Sequence, residues 1–281
     1  MFTMLDYDFM RNAFAAGGVV ALLSGVAGYF LVMRGQTFAG HALSHVGFAG
    51  ATGAALFGLA PLGGMVGATL LGGVVMGLMG DRLQGSDVAI GAILALSLGL
   101  GMLCLHFYTS YATQATALLF GNVLGVGAGT LRALCAMGAL CLVLLALISR
   151  PLVFASLQPE LAEARGVSLR AVSVLFMALV ALATAQCIQI VGVLLVFTLM
   201  VGPGATAQRM TSRLGRGVAL AAVLAIAEAW LGITLAYYTD WPTSFWIAAL
   251  SVGGYLMAVL MEKRVFSRRT KIFSLDSRSL R

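Results

Sequence analysis

The stretch RGQTFAGHALSHVGFAG, residues 34–50, follows one apolar segment and opens the next. It contains His41 and His45, two of the three histidines in the chain. If this segment is helical, the two imidazoles lie on one face about one turn apart. Two neutral imidazoles placed in this way can ligate one metal ion such as Zn²⁺. The alternative is a pair of structural histidines that hydrogen-bond nearby carbonyl groups at the helix end. Polar groups inside a membrane are costly to keep, which favours the functional interpretation.

The composition of the 281-residue chain is that of a membrane protein. Hydrophobic residues make up 60% of the sequence, charged residues only 10%, and the mean hydropathy is +1.00. In soluble domains about a quarter of the residues are charged. Apolar runs long enough to cross a bilayer recur along the whole chain. We therefore predict an all-α, polytopic transmembrane bundle that forms one domain over residues 1–281. We expect the first apolar run to be retained, because no cleavage site follows it, and we expect no appended soluble domain.

The apolar runs predict nine spans, and eight is the alternative because the sixth and seventh are joined almost without a loop. The predicted bounds are about 12–33, 41–59, 62–80, 88–107, 131–149, 171–187, 190–200, 218–238 and 244–261. Residues 112–129 are too polar at their start and too rich in glycine at their end for a span. We expect a short interfacial or re-entrant helix there, with irregular backbone only against protein or water.

The basic residues predict the orientation of the bundle in the membrane. Apart from Arg11 and Arg132, they fall in loops at residues 34, 82, 150–170 and 209–216 and in the tail at about 262–281. The positive-inside rule places these loops in the cytoplasm and the N-terminus outside. This distribution explains the net charge of +7 without a nucleic-acid partner. We expect the tail to be frayed. The opposite turns lack lysine and arginine, and they lie around Pro61, Tyr111, Gln189 and Asp240.

The four cysteines are predicted to be buried apolar side chains. They all lie inside apolar runs, and their spacing matches no zinc or haem motif. They are Cys104, Cys135, Cys141 and Cys187.

Three further features in the predicted spans are candidates for function. Glu228 lies in the middle of a span, where an ionisable group is a functional candidate by default. It could ligate metal or pair with Arg132, and the alternative is a protonated or interhelically bonded glutamate. His106, near the outer end of the fourth span, is either a ligand on the path of the ion or an interfacial side chain. The Gly202–Gly204 sequence, with Pro203 between the glycines, closes the seventh span. We expect a structural bend there, with a gating role as a hypothesis.

The segment SLQPELAEARGVSLR, residues 156–170, is the only sizeable polar stretch between spans. Pro159 suits the first turn of a helix, and Glu160 follows where the helix dipole favours anions. Gly166 suits a left-handed stop. The segment therefore predicts a short capped helix of about two turns, which is either a simple connector or a docking helix for a soluble partner.

Three blocks of sequence resemble a known family of transporters. They are TFAGHALSHVGFAG (residues 37–50), QPELAEARGVSLR (158–170) and VGVLLVFTLMVGPGATAQRM (191–210), and SDVAIGAIL and LLFGNVLGV are weaker matches between them. The residue patterns of these blocks and their order along the chain are similar to those of the ABC-3 permeases, the membrane subunits of zinc, manganese and iron ATP-binding-cassette importers. The chain departs from the family pattern at His41, where the family commonly has aspartate.

The resemblance implies a type II importer-like permease subunit in the bacterial inner membrane. Its partners would be a second copy of itself, a cytoplasmic ATPase dimer and an extracytoplasmic metal-binding protein. The transported ion would be zinc, because two imidazoles favour a nitrogen-preferring ion, with manganese or iron as alternatives. The resemblance assigns ATPase coupling to one group of residues: Gln158, Pro159, Glu160, Leu161, Ala162, Arg165 and Gly166.

Rival functions differ from this interpretation in specific ways. The chain lacks the phosphate-loop sequence G-x-x-x-x-G-K-[ST], so ATP hydrolysis is expected on the partner and the chain is not expected to be an enzyme. It also lacks the zinc-protease and serine-hydrolase motifs, which disfavours an intramembrane enzyme. A permease for siderophores or cobalamin offers no reason for a His-x-x-x-His block. A secondary transporter or cation channel that works without an ATPase is the main alternative.

Overall fold

The computed structural model describes residues 3–79, 87–107 and 118–276, and within these ranges the protein is a helical bundle without β-strands. The first half contains α1 (Asp8–Met33), α2 (Thr37–Leu56), α3 (Pro61–Met79), α4 (Asp87–His106) and α5 (Ala128–Leu157). The second half contains α6 (Pro159–Ala164), α7 (Leu169–Val191), α8 (Val196–Met210), α9 (Leu214–Thr239) and α10 (Thr243–Asp276). Thr3–Asp6 and Val123–Gly125 form 3₁₀ turns. The prediction of an all-α bundle is confirmed.

Each of the nine predicted spans corresponds to a helix, although the bounds differ. By length and composition six helices can cross a membrane, namely α1, α3, α5, α7, α9 and the Thr243–Glu262 part of α10. α4 contains a shorter apolar stretch, Ile90–His106. With 15 residues, α8 is about 22 Å long, which is less than the hydrocarbon thickness of about 30 Å.

Helices α1 and α7 form the centre of the bundle, and two thirds of the apolar part of each is buried. α1 packs against α8 and α9, while α7 packs against α3, and α5 contacts both central helices. α2 packs between α3 and α4 and also reaches α7 and α8. α2 is therefore enclosed by other helices, which explains how it can carry polar residues in a membrane protein.

The prediction that the seventh span ends at Gly202–Gly204 is wrong. α8 continues through Pro203 to Met210, and the chain breaks instead at residues 192–195, where Gly192 has φ +80°. Close packing explains the two glycines: a Cβ on Gly204 would lie 2.9 Å from backbone atoms of Gly28 in α1, and one on Gly202 would overlap the Ser251 hydroxyl of α10. Neighbouring helices hold α8 on both sides, and such support allows a proline inside a membrane helix.

Two other predicted boundaries are also wrong. α5 does not end at Ser149 but continues through Pro151 to Leu157, and it ends at Gln158, the residue before Pro159, which has φ −142° and ψ +69°. The tail is not frayed where it is described, since α10 continues to Asp276. The tail contains neither glycine nor proline, so no strong stop ends the helix earlier.

The irregular backbone at residues 121–127 lies against protein, as predicted. The amides of Val193 and Leu194 donate to the carbonyls of Leu118 and Leu119, at 3.1 and 3.3 Å. A Cβ on Gly121, which has φ +79°, would overlap the Ile190 carbonyl. This segment therefore covers the break between α7 and α8. The earlier part of the predicted interfacial helix lies outside the described residues.

The loops with basic residues, which were predicted to lie on one side of the membrane, meet at one end of the bundle. A cleft of about 690 Å³ is lined by Arg34, Met79, Glu163 and Arg170, which come from four separate segments. A second cleft of about 430 Å³ joins Leu157 and Gln158 to Leu214 at the start of α9. We call this region, which contains Arg34, residues 150–170 and residues 209–216, the basic end. Arg82 lies outside the described residues.

The opposite turns also meet. Pro61, Asn122 and Gln189 line one cleft of about 280 Å³, while Ile190 and Pro242 line another of about 190 Å³. We call this region, around Pro61, Gln189 and Asp240, the aromatic end. Next to Asp240, the rings of Trp241 and Trp246 stack with centroids 5.6 Å apart, as is common for aromatic side chains at a membrane interface. Tyr111 lies outside the described residues.

Candidate functional site

His41 and His45 lie on one face of α2, as their spacing predicted. Their ring centroids are 5.0 Å apart and the ring planes are perpendicular. The His45 side chain is buried and His41 is partly buried. From α8, the ring of Phe197 packs against His41 at 5.1 Å between centroids. The fifth residue of α2 is His41, so the pair lies within about 12 Å of the helix start at the basic end.

One imidazole nitrogen of each histidine, Nδ1, lacks, within the described part of the chain, the hydrogen-bond partner that a structural role would give it. In both rings Nδ1 is buried and has no hydrogen-bond partner among the described residues. The nearby hydroxyl of Ser44 does not bond either ring, because it donates to the backbone carbonyl of His41, at 2.7 Å. A buried polar atom without a partner costs about 1–3 kcal/mol. Two such atoms side by side therefore indicate a place for a ligand or for water.

The histidine pair offers two nitrogen ligands, and the described residues contain no cluster of three or more His, Cys, Asp or Glu side chains that could hold a metal ion. A closed structural zinc site has four protein ligands. An ion at this pair would thus complete its coordination with water or backbone oxygen. Such an open arrangement suits an ion that binds and leaves.

Glu228 is buried in α9 but does not join the histidine pair. Its carboxylate oxygen Oε2 has no partner among the described residues, and the Ser251 hydroxyl of α10 donates to the Thr198 carbonyl of α8, at 3.3 Å. The predicted pairing with Arg132 is wrong, because Arg132 is exposed and its Nε donates to the Ala128 carbonyl of its own helix, at 3.4 Å. For Glu228 the metal-binding role and the alternatives of a protonated or interhelically bonded glutamate stay predictions.

His106 is exposed at the end of α4, where its ring packs against Phe107 at 5.4 Å between centroids. The structure does not bring it into a cluster with other metal-ligating side chains of the described residues. Its role on the path of the ion stays a prediction.

The helix α6 has the caps that the sequence predicted. Pro159 occupies the first turn, and Gly166 has φ +81°. The amide of Gly166 donates to the Glu163 carbonyl at 2.9 Å, and that of Val167 donates to the Ala162 carbonyl at 3.0 Å, which together form a Schellman stop. α6 is therefore a defined structural element of the basic end.

The side chains of α6 divide into one buried anchor and an exposed face. Ala162 is fully buried and fixes α6 to the bundle, whereas 46% of Leu161 is exposed. The remaining residues assigned to coupling are also exposed, and they are Gln158, Pro159, Glu160, Arg165 and Gly166. α6 therefore presents a short, mostly polar surface at the basic end, and its coupling role stays a prediction.

The sequence profile of the ABC 3 transport family matches residues 6–262, which include the histidine pair, α6 and the Gly202–Gly204 sequence. The chain belongs to this family. The resemblance that the three sequence blocks indicated is thereby confirmed.

Relatives of this ABC 3 family member are named as metal transporters. It is 30% identical over 241 residues to the manganese transport system membrane protein MntC of Halalkalibacterium halodurans, a match that covers 84% of this chain and 82% of that protein. It is also 30% identical over 270 residues to a probable metal transport system membrane protein of Treponema pallidum, which covers 95% of this chain and 100% of the relative.

Solved structures share the fold of this ABC 3 family member. PsaBC from Streptococcus pneumoniae in complex with Fab superposes with a TM-score of 0.81 at 25% identity, over 91% of this chain and 92% of that one. An inward-facing putative metal-chelate type ABC transporter gives a TM-score of 0.70 at 17% identity, over 90% of this chain and 86% of that one, and shows the fold alone.

Two residues of the site were not singled out by the sequence. Phe197, which packs on His41, is one apolar residue in an apolar run, so no local signal marks it. Arg34 bonds Ser156 in the last turn of α5, at 3.0 Å. Arg34 is the one charged residue between two apolar segments, and the sequence analysis used it only to orient the bundle. A charge beside the histidine block could also have indicated a contact with another helix.

Proposed function

We propose that this protein is the membrane-spanning permease subunit of an ATP-driven importer of divalent metal ions. Membership of the ABC 3 transport family and the named functions of its relatives support this proposal. The chain would work as a homodimer with a separate cytoplasmic ATPase and an extracytoplasmic metal-binding protein. The basic end would face the cytoplasm, as the distribution of arginine and lysine predicts.

The observation that carries the proposal is the histidine pair inside the bundle. His41 and His45 place two unpartnered ring nitrogens on a helix that other helices enclose. Imidazole is a ligand for divalent transition metals, and polar groups in such a position mark ion pathways in many membrane proteins. A site with only two protein ligands also allows the ion to leave, which transport requires.

Two ions are candidates for the cargo, and different observations favour them. The names of the MntC relatives specify manganese, and none of the relatives named here specifies zinc. The second imidazole at His41, where the family commonly has aspartate, favours a nitrogen-preferring ion such as Zn²⁺. We take manganese as the first candidate and zinc as the second.

The helix α6 favours an ATPase-driven mechanism over a secondary transporter or a channel. A helix of six residues, capped at its C-terminal end, anchored by Ala162 and exposed elsewhere presents a rigid feature to a soluble partner. A transporter without such a partner has no need of it.

The decisive experiment is uptake into proteoliposomes that contain the permease, its ATPase and its binding protein, with radioactive Mn²⁺ and with Zn²⁺. We expect uptake that requires ATP and both partners, and competition between the two metals identifies the preferred one. Vesicles that contain the permease alone are the control. Metal uptake by those vesicles would contradict the proposal and favour the secondary transporter.

A further inference from the structure

Arg34 connects three helices at the basic end. It is the first residue after α1 and lies three residues before α2. Its Nε donates to Gln36 Oε1 at 3.0 Å, and its Nη1 donates to Ser156 Oγ in the last turn of α5, also at 3.0 Å. The guanidinium carbon lies 5.6 Å from the centre of the Phe176 ring in α7, a cation–π contact.

On the α5 side, this contact leads directly to α6. The Ser156 hydroxyl donates to the Leu152 carbonyl at 2.5 Å, so its oxygen is oriented to accept from Arg34. Gln158 is both the C-cap of α5 and the N-cap of α6. Its amide donates to the Phe154 carbonyl, and its carbonyl accepts from the Ala162 amide, each at 3.0 Å. With one shared residue between the helices, a movement of α6 is transmitted to the last turn of α5.

On the α2 side, the contact leads to the histidine pair. Gln36 is the residue that caps the start of α2, and its carbonyl accepts from the Gly40 amide at 3.2 Å. His41 follows Gly40 directly. The Arg34 guanidinium therefore holds the first turn of the helix that carries the candidate metal ligands.

We propose that Arg34 is the positioning residue that couples the movement of α6 to the position of His41 and His45. This inference rests on the proposed function, because it assigns the route by which the ATPase acts on the ion path. Hydrogen bonds from a charged donor are strong and directional. Displacement of Ser156 therefore moves Gln36 as well, because both side chains bond the same planar guanidinium of Arg34. The cleft of about 690 Å³ beside Arg34 and Glu163 leaves space for α6 to shift.

The test compares Arg34→Lys, Ser156→Ala and the double variant with wild type, in the proteoliposomes with ATPase and binding protein. Mn²⁺ uptake and ATP hydrolysis are measured on the same vesicles. Lysine keeps the charge but loses the planar fork, and Ser156→Thr keeps the hydroxyl as the matched control. We expect ATP hydrolysis to continue while the number of ions taken up per ATP falls at least about fivefold in both single variants. The Ser156→Thr control is expected to keep the wild-type number of ions per ATP.

The double variant separates a connection between the two side chains from two independent effects. If Arg34 acts through Ser156, the double variant loses no more than the larger single loss. The proposal would be overturned if the loss of ions per ATP in the double variant equals the product of the two single losses. It would also be overturned if the single variants keep the wild-type number of ions per ATP. A purely structural role would lower the thermal stability of the complex and reduce hydrolysis and uptake in proportion, which would also overturn it. The proposed function is tested separately: it fails if the wild-type complex shows no ATP-dependent uptake or if vesicles with the permease alone take up metal.

Discussion

The histidine pair and α6 differ in whether their polar groups have hydrogen-bond partners. In the pair, two Nδ1 atoms are buried and lack partners among the described residues. In α6, most side chains are exposed, but the backbone groups at its C-terminal end are bonded by the Schellman stop. The two regions lie at the two ends of one set of contacts, through Ser156, Arg34 and Gln36.

This difference indicates two kinds of binding. A buried polar group without a partner lowers stability, so its presence indicates a ligand that enters the bundle. An exposed helix whose terminal backbone groups are bonded costs little by itself, so its side chains are available for contact with a soluble partner. The inner region therefore suits an ion and the outer region suits a partner subunit.

The largest effect is expected from His45→Leu. Loss of a direct ligand should lower Mn²⁺ uptake by about a hundredfold or more, because loss of groups that only orient a ligand already costs about 10–100-fold. Stability should stay equal or rise, because a buried unpaired nitrogen that costs about 1–3 kcal/mol is removed. The measurements are vesicle uptake and the Tm of the purified complex.

The comparison variant is His106→Leu at the exposed end of α4: uptake that changes less than about twofold would exclude His106 from the ion path, and a larger loss would place it there. If His45→Leu lowers Tm and leaves uptake intact, the pair is structural and the contrast between the two regions disappears.

The next largest effect is expected from Leu161→Asp. A charge at the centre of a docking surface should weaken binding of the ATPase by about 2 kcal/mol, or roughly thirtyfold. The permease itself should remain folded, because 46% of Leu161 is exposed. Co-purification and titration with the ATPase measure the effect.

Leu59→Asp serves as the control for this change, because Leu59 is 65% exposed at the aromatic end. Full ATPase binding by the Leu161→Asp variant would show that α6 is a simple connector.

A smaller effect is expected from Gly204→Ala. The new Cβ would lie 2.9 Å from Gly28 backbone atoms, so α1 and α8 must separate, at a cost of about 1–3 kcal/mol. Because α8 carries Phe197 beside His41, uptake should fall together with Tm. Gly215→Ala in α9, where a Cβ meets no atom within 4 Å, should leave Tm unchanged or raise it. Equal Tm values for the two variants would show that the close helix contact is dispensable.

The smallest effect is expected from Gly166→Ala. Its φ of +81° is a left-handed conformation that costs alanine about 1–2 kcal/mol. The end of α6 should fray, and ATPase affinity should fall about fivefold because fewer molecules present the docking conformation. Gly166→Asn should recover most of the affinity, since asparagine tolerates this conformation. Equal loss in both variants would mean that the backbone conformation is not the cause.

Local patterns predicted the helices, the histidine face and the caps of α6. The four-residue spacing of His41 and His45 is sufficient to place both rings on one face, and Pro159 and Gly166 mark the ends of α6 because each restricts or permits a particular φ. The same local reasoning failed at Gly202–Gly204. The conformation of that sequence depends on Gly28 and Ser251, which are distant in the chain, so a pattern that usually ends a helix lies inside one.

The pairing of Glu228 was wrong for a related reason. Two charges of opposite sign in apolar runs suggest an ion pair, but the partner depends on which helices are neighbours. α9 packs against α1, α8 and α10, and Arg132 bonds a carbonyl of its own helix, α5, instead of Glu228.

By itself, the sequence determined that this protein is a helical membrane bundle, which loops share an end, and that it resembles the ABC 3 permeases. The first two conclusions depend on hydropathy and charge, which act locally along the chain, and the resemblance rests on the three sequence blocks. Only the tertiary structure decided that Nδ1 of His41 and of His45 lacks a partner among the described residues, that Phe197 packs on His41, and that Arg34 joins α2 to the end of α5. Each of these depends on contacts between distant residues, and such contacts follow from helix packing rather than from any local pattern.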